Sequence, residues 1–313
     1  MRAKGGTVSH FYRQVQDHTA KFSAWLFALT FFFTFLTAAS AFAQEAPEIT
    51  ADAAIVVDAD TGKTLFEKNA NKPEYPASMT KVMTAVLALE SGKTDRIVEV
   101  SENAADVETT RLHAGDQARM SEFLKQMLLV SDNGCATAIG ESLAAGDIDY
   151  FVKKMNDKAA SLGMTSTHFV NANGMPDSNH VTTAADMSRL MMYAIRNDAF
   201  RKLIAMPSAT VTYIVPEGRT EYCVSTDELL GKYPGILGGK TGWTSSARSC
   251  FMAAAERDGH TLVVVVMHSA DDETRFSEAA SLLDYGFAVR AQSEEAKPIE
   301  TGTERVQVPE RKN

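Results

Sequence analysis

Residues 249–268 read SCFMAAAERDGHTLVVVVMH, and their pattern decides the fold class. Ser249 to Glu256 is small and apolar, Asp258-Gly259 is a turn pair, and Thr261 to His268 is largely β-branched. Two such runs joined by Asp-Gly predict an antiparallel hairpin. On its C-terminal side, Glu273 to Arg290 carries the spacing of an amphipathic helix. On its N-terminal side, Gly235 to Gly242 is a glycine-rich approach to another strand. Before that, Thr210 to Val215 and Thr220 to Ser225 read as a strand and its return. Upstream of Arg201 the period becomes helical, over Met120 to Val130, Cys135 to Ala145, Ile148 to Leu162 and Thr183 to Asn197. Gly163 stands where the third of these needs a left-handed C′ residue. Further back, Pro76 opens a helix over Ala77 to Glu90 that stops at Gly92. A first hairpin joins Ala53–Asp58 to Lys63–Glu67. Hairpin, helices, strands and a closing helix together predict an α+β fold: one antiparallel sheet flanked by helices, with an inserted, mostly helical subdomain.

The chain has 313 residues, 45% hydrophobic and 23% charged, which excludes global disorder and fibrous repeats. Its formal charge is −9. Four of its basic residues (Arg2, Lys4, Arg13 and Lys21) lie within residues 1–43 beside the single acid Asp17, so the rest is more acidic still. No basic footprint for nucleic acid exists. Residues 24–43, AWLFALTFFFTFLTAASAFA, follow a polar, positive segment and end in Ala41-Phe42-Ala43, a small-x-small cleavage pattern. Residues 1–43 therefore read as a signal peptide or an uncleaved N-terminal anchor, with cleavage favoured by the small residues near the end. Either reading places the body, residues 44–290, outside the cytoplasm, and 291–313 as a polar tail. Three cysteines make no disulfide framework. Cys135 reads as a small buried residue, and a Cys223–Cys250 bridge is the minority alternative to free thiols.

The chemistry begins with an elimination. There is no G-x-S-x-G and no H-E-x-x-H, and the seven histidines lack ligand spacing, so a zinc peptidase is disfavoured. His168 and His180 read as turn or surface residues. Ser78 is the one serine with a lysine three residues on, Lys81. One helical turn apart, hydroxyl and amine share a face. A first-turn serine also sits beside unpaired backbone N–H groups. Alone the pair is weak, because about one S-x-x-K is expected by chance at this length. S-x-N occurs at Ser101-Glu102-Asn103, which reads as an N-cap, and at Ser131-Asp132-Asn133. The second breaks two apolar helices, so it needs polar partners or a task. Lys240-Thr241-Gly242 is sharper: its glycines let a ligand backbone lie beside a strand, and its lysine offers a charge to a carboxylate.

Ser78-x-x-Lys81, Ser131-x-Asn133 and Lys240-Thr241-Gly242, in this order, resemble the three-part signature of penicillin-recognising acyl-serine enzymes. The flanks narrow the resemblance. Pro76-Ala77-Ser78-Met79-Thr80-Lys81, Leu162-Gly163-Met164, Thr183-Ala184-x-Asp186-Met187 and Gly238-Gly239-Lys240-Thr241-Gly242-Trp243-Thr244 are similar to low-molecular-weight D-alanyl-D-alanine carboxypeptidases over about residues 50 to 290. The resemblance implies a β-lactamase/transpeptidase-like fold and a cofactor-free, metal-free serine carboxypeptidase. Its substrate would be a peptidoglycan stem peptide ending in D-Ala-D-Ala, and β-lactams would be covalent inhibitors. It implies Ser78 as nucleophile, Lys81 as general base, Ser131 as proton relay and Asn133 as the group orienting Lys81. Lys240, Thr241, Gly242 and Trp243 would line the carboxylate and oxyanion sites, with Arg275 as a second carboxylate ligand. Many such relatives carry Asn at Asp227 and Gly at Arg248. Many also continue into a β-rich domain and a membrane anchor. With 23 residues after Arg290, both are expected to be absent, which makes an N-terminal tether the natural alternative. A D,D-endopeptidase shares every named residue. A class A β-lactamase would need a Glu-x-x-Leu-Asn segment between Asn133 and Lys240, which is missing. A silent wall-binding protein would have no need of all four catalytic groups.

Overall fold

The computed structural model describes residues 45–295. The N-terminal segment expected to be a signal or anchor, and the end of the polar tail, lie outside the described residues. The hairpin at residues 249–268 forms as β8 (Arg248–Arg257) and β9 (His260–Ser269), turning at Asp258 and Gly259, both with positive φ. The early hairpin is β1 (Ala53–Asp58) and β2 (Thr64–Lys68), and the glycine-rich strand is β7 (Ile236–Thr244). All five make one antiparallel sheet in the order β2-β1-β9-β8-β7.

Thr261 to Met267 is buried without interruption because both faces of the sheet are covered. Alternation then decides which layer each residue enters. Val263, Val265 and Met267 join the core beneath the inserted helices, whereas Leu262, Val264 and Val266 meet Phe276, Ala279, Leu282 and Leu283 of the closing helix. That helix runs Asp272–Glu295, five residues beyond the expected end at Arg290, and takes the first part of the polar tail with it.

Between β2 and β7 the chain builds the helical insertion. A 3₁₀ turn, Ala77–Thr80, leads into α1 (Lys81–Glu90). Then come β3 (Ile97–Glu99), α2 (Glu102–Ala105), β4 (Gln117–Arg119), α3 (Met120–Leu129), α4 (Asn133–Leu143) and α5 (Ile148–Ser161). The expected helix over Thr183 to Asn197 forms as α6 (Ala184–Ala194), and a further helix, α7 (Asp198–Ile204), follows it. The second helix starts from its own cap, since Asn197 Oδ1 accepts from Ala199 and Phe200 N–H. Strands β5 (Ser208–Thr212) and β6 (Thr220–Val224) pair as a separate ribbon, and β3 and β4 form another. The closing helix is α8.

The cysteines take the favoured of their two readings, and the reading of one histidine is corrected. All three cysteines are free: Cys223 stands in the β5–β6 ribbon and Cys250 in the main sheet, so the sheets carry their thiols apart. His180 is buried, not a surface residue. Its Nε2 lies 2.9 Å from Thr80 Oγ1, and burial lowers its pKa to about 4. Cys135 is buried as expected. Arg248 has φ +55, a left-handed conformation that glycine adopts freely and that a side chain strains.

Candidate active site

Ser78 sits in the 3₁₀ turn directly against the edge strand β7. Backbone meets backbone there: a Cβ added to Gly242 would lie 2.9 Å from Pro76 O and 3.2 Å from Ser78 N. On the opposite flank, a Cβ on Gly174 would lie 1.9 Å from Ala77 O. Ala77 itself adopts φ +46, so the turn carrying Ser78 is held in a conformation that L-residues seldom take.

Lys81 opens α1 with its amine fully buried. Nζ lies 2.7 Å from Ser78 Oγ and donates to Asn133 Oδ1 (2.6 Å) and to the Asn173 carbonyl (2.7 Å). Burial holds its pKa well below that of an ordinary lysine, and the nearby Lys240 charge lowers it further, against the opposing charge of Asp132. A neutral amine has two N–H groups and one lone pair. The two carbonyl oxygens can only accept, so they take both N–H groups and leave the lone pair facing the Ser78 hydroxyl. That is the geometry of a base beside its nucleophile.

The loop between α3 and α4 supplies the facing wall. Ser131 has φ +62, and Asp132, not Ser131, caps α4 by accepting from Cys135 N–H at 3.0 Å. Asp132 also accepts from Thr110 Oγ1, Arg111 N and Gln126 Nε2, which fixes the loop on three sides. Asn133 turns its oxygen to Lys81 and donates through Nδ2 to Glu108 O and Thr109 Oγ1.

From β7, Lys240 Nζ donates to Ser131 Oγ (2.9 Å) and Thr241 O (2.9 Å). Burial first, and then the charge of Arg275, lower its pKa to about 7. Arg275, in the first turn of α8, is buried and donates to Gly242 O at 3.3 Å. Thr241 Oγ1 shares a 2.7 Å hydrogen bond with Thr226 Oγ1.

The expected residues thus converge. Ser78, Ser131, Asn133, Thr241, Gly242, Trp243 and Arg275 line one cleft of about 430 Å³, with both lysines buried behind its walls. Trp243 presents an exposed ring at the rim. Asp132, Asn173 and Thr226 were not expected. Only Asn173-Gly174 carried a sequence signal, as a turn dipeptide. Among the described residues, no group of His, Cys, Asp and Glu side chains is arranged to hold a metal ion.

The family model for D-alanyl-D-alanine carboxypeptidase (Peptidase S11) matches residues 40–271. The chain belongs to that family. Its similarity to the D-alanyl-D-alanine carboxypeptidase DacB2 of Mycobacterium tuberculosis is 35% identity over 254 residues, covering 79% of this chain and 86% of the relative. A crystal structure of a D-alanyl-D-alanine carboxypeptidase from the same organism superposes with TM-score 0.74 at 34% identity, covering 79% of this chain and 95% of the other. The Streptomyces K15 DD-transpeptidase superposes with TM-score 0.74 at 28% identity, covering 78% and 99%. The fold is that of the penicillin-binding DD-peptidases, and the protein is a serine-type D-Ala-D-Ala carboxypeptidase, a hydrolase. Arg275 lies beyond the span that the family model matches.

Proposed function

We propose that this D-Ala-D-Ala carboxypeptidase removes the terminal D-alanine from peptidoglycan stem peptides through an acyl-enzyme on Ser78. The observation that carries the assignment of residues is Lys81, fully buried between two carbonyl acceptors with its amine nitrogen 2.7 Å from Ser78 Oγ. Lys240 and Thr241, with Arg275, hold the terminal carboxylate. This brings the scissile carbonyl to the backbone N–H groups of Ser78 and Trp243. Ser78 Oγ attacks and its proton passes to Lys81. The tetrahedral intermediate collapses as Ser131 relays a proton to the departing D-alanine amine. Water then enters, with Lys81 again as base, and hydrolysis of the ester restores Ser78.

Three basic side chains, Lys81, Lys240 and Arg275, share one buried region, and each has its pKa lowered by burial. A bound carboxylate raises the pKa of Lys240 and keeps it charged during turnover. Action on wall peptides places the protein outside the cytoplasm, with export through residues 1–43. Among the described residues, no helix is long and apolar enough to cross a membrane.

The test is intact-mass spectrometry of the purified protein after incubation with a β-lactam, beside release of D-alanine from diacetyl-L-Lys-D-Ala-D-Ala. One covalent adduct that is absent in Ser78→Ala, together with D-alanine release, is the expected result. No adduct and no turnover would overturn the assignment. Rapid drug hydrolysis without D-alanine release would indicate a β-lactamase.

A further inference from the structure

His180 is buried, has no part in the proton transfers of Ser78, Lys81 and Ser131, and yet bonds to the turn that carries the nucleophile. Its tautomer follows from its partners. The Val170 N–H can only donate and lies 3.4 Å from Nδ1, so Nδ1 keeps its lone pair. The proton is then on Nε2, which donates to Thr80 Oγ1 at 2.9 Å. Thr80 is fully buried and stands between Ser78 and Lys81, two residues after the first and next to the second. Phe169 meets the imidazole edge-on, with ring centroids 5.6 Å apart. Burial lowers the pKa of His180 to about 4, so the ring is uncharged at neutral pH.

Residues 170–182 grip the start of α1 at three points. Ala172 O accepts from Thr84 Oγ1 at 2.6 Å, Asn173 O accepts from Lys81 Nζ at 2.7 Å, and His180 donates to Thr80. The first two contacts use backbone carbonyls, which any residue supplies. The third depends on the imidazole. The support beneath it is firm: His168 and Val181 exchange backbone hydrogen bonds of 2.8 and 3.1 Å, and Glu74 and Thr182 exchange bonds of 2.8 and 2.9 Å. The turn on the other side needs such a support. Ala77, at φ +46, holds a conformation that an L-residue leaves when its surroundings allow.

We infer that His180 is a positioning residue for acylation: its bond to Thr80 sets the turn so that Ser78 Oγ stands 2.7 Å from Lys81 Nζ. The inference rests on the reading of Ser78 as the nucleophile. His180 itself moves no proton.

Stopped-flow acylation by a fluorescent penicillin reads this step directly, beside the thermal midpoint. His180→Phe keeps a buried ring but has no donor, and its acylation rate constant should fall about tenfold, because a displacement under an ångström is costly at a nucleophile. His180→Gln places an amide N–H where Nε2 stands and should restore the rate to within about twofold of wild type. Thr80→Val should match His180→Phe, and the double variant should be no slower than either, as two halves of one bond behave. The pH profile of acylation should keep its shape in all four, since a neutral ring adds no titration at neutral pH. Unchanged acylation in His180→Phe, equal losses in the Phe and Gln variants, or losses that add in the double variant would overturn the role. So would a lower thermal midpoint with acylation intact. A wild type that forms no adduct on Ser78 would instead overturn the parent reading, and the positioning role with it.

Discussion

Ser101-Glu102-Asn103 and Ser131-Asp132-Asn133 share a pattern and precede helices, yet they do opposite work. In the first, Ser101 lies in extended backbone and caps α2, accepting from Ala104 N–H at 3.0 Å, while Asn103 donates to Glu141 at the surface. In the second the cap moves one residue along to Asp132. That shift frees both neighbours. Ser131 turns to Lys240, and Asn133 becomes the first helical residue, with its amide between Lys81 and the Thr109 loop. A serine that satisfies a helix end is spent on structure, whereas one relieved of that duty is available for chemistry. The residue that decides is the middle one.

The strongest way to break this comparison is to delete each serine. Ser131→Ala should lower kcat/KM for D-alanine release by about 10²- to 10⁴-fold, the range of a lost proton-transfer group, with the thermal midpoint nearly unchanged. A loss under tenfold would mean that Ser131 is no relay. Next comes the cap. Asp132→Ala strands the buried Gln126 amide and the N–H groups of Arg111 and Cys135, and should destabilise the fold by about 3 kcal/mol in chemical denaturation. A cost like that of an ordinary surface cap would place the loop's rigidity elsewhere.

The freed pair faces two lysines, so pH sharpens the contrast further. Lys81 must be neutral to act as base, so kcat/KM rises with pH through its lowered pKa. Lys240 must be charged to hold a carboxylate, so kcat/KM falls as pH rises through about 7. Removing the Arg275 charge with Arg275→Gln relieves Lys240 of one of its two lowering causes, so the alkaline limb should move to higher pH while KM rises. A limb that stays in place would assign it to another group. The smallest effect belongs to Ser101→Ala: about 1 kcal/mol of stability from the lost cap, with kcat/KM unaltered.

What could be read from the sequence divides along the same line. Ser78 and Lys81 were visible because helical spacing alone brings them together, and Lys240-Thr241-Gly242 because glycine in a strand signals close approach. The hairpin of β8 and β9 was legible from its turn and its β-branched run. The second carbonyl partner of Lys81 was not, since it is the backbone carbonyl of Asn173, 92 positions away, and a carbonyl has no residue signature. Asp132 was hidden between the two residues that drew attention. Helix α7 was not expected as an element of its own, although an Asn-Asp pair before Phe200 had the form of a cap. Trp243 was expected for its backbone, and nothing in the pattern foretold an exposed ring.

Gly174 and Gly242 close around the nucleophile turn with backbone on both flanks. Each glycine codon is one base change from alanine, and at either position that change drives a methyl group towards the Pro76–Ser78 backbone. A lineage under selection by a drug that acylates Ser78 therefore finds these two flanks closed to it. Escape has to begin at the rim, around Trp243 or Met175, where a side chain can change without moving the serine.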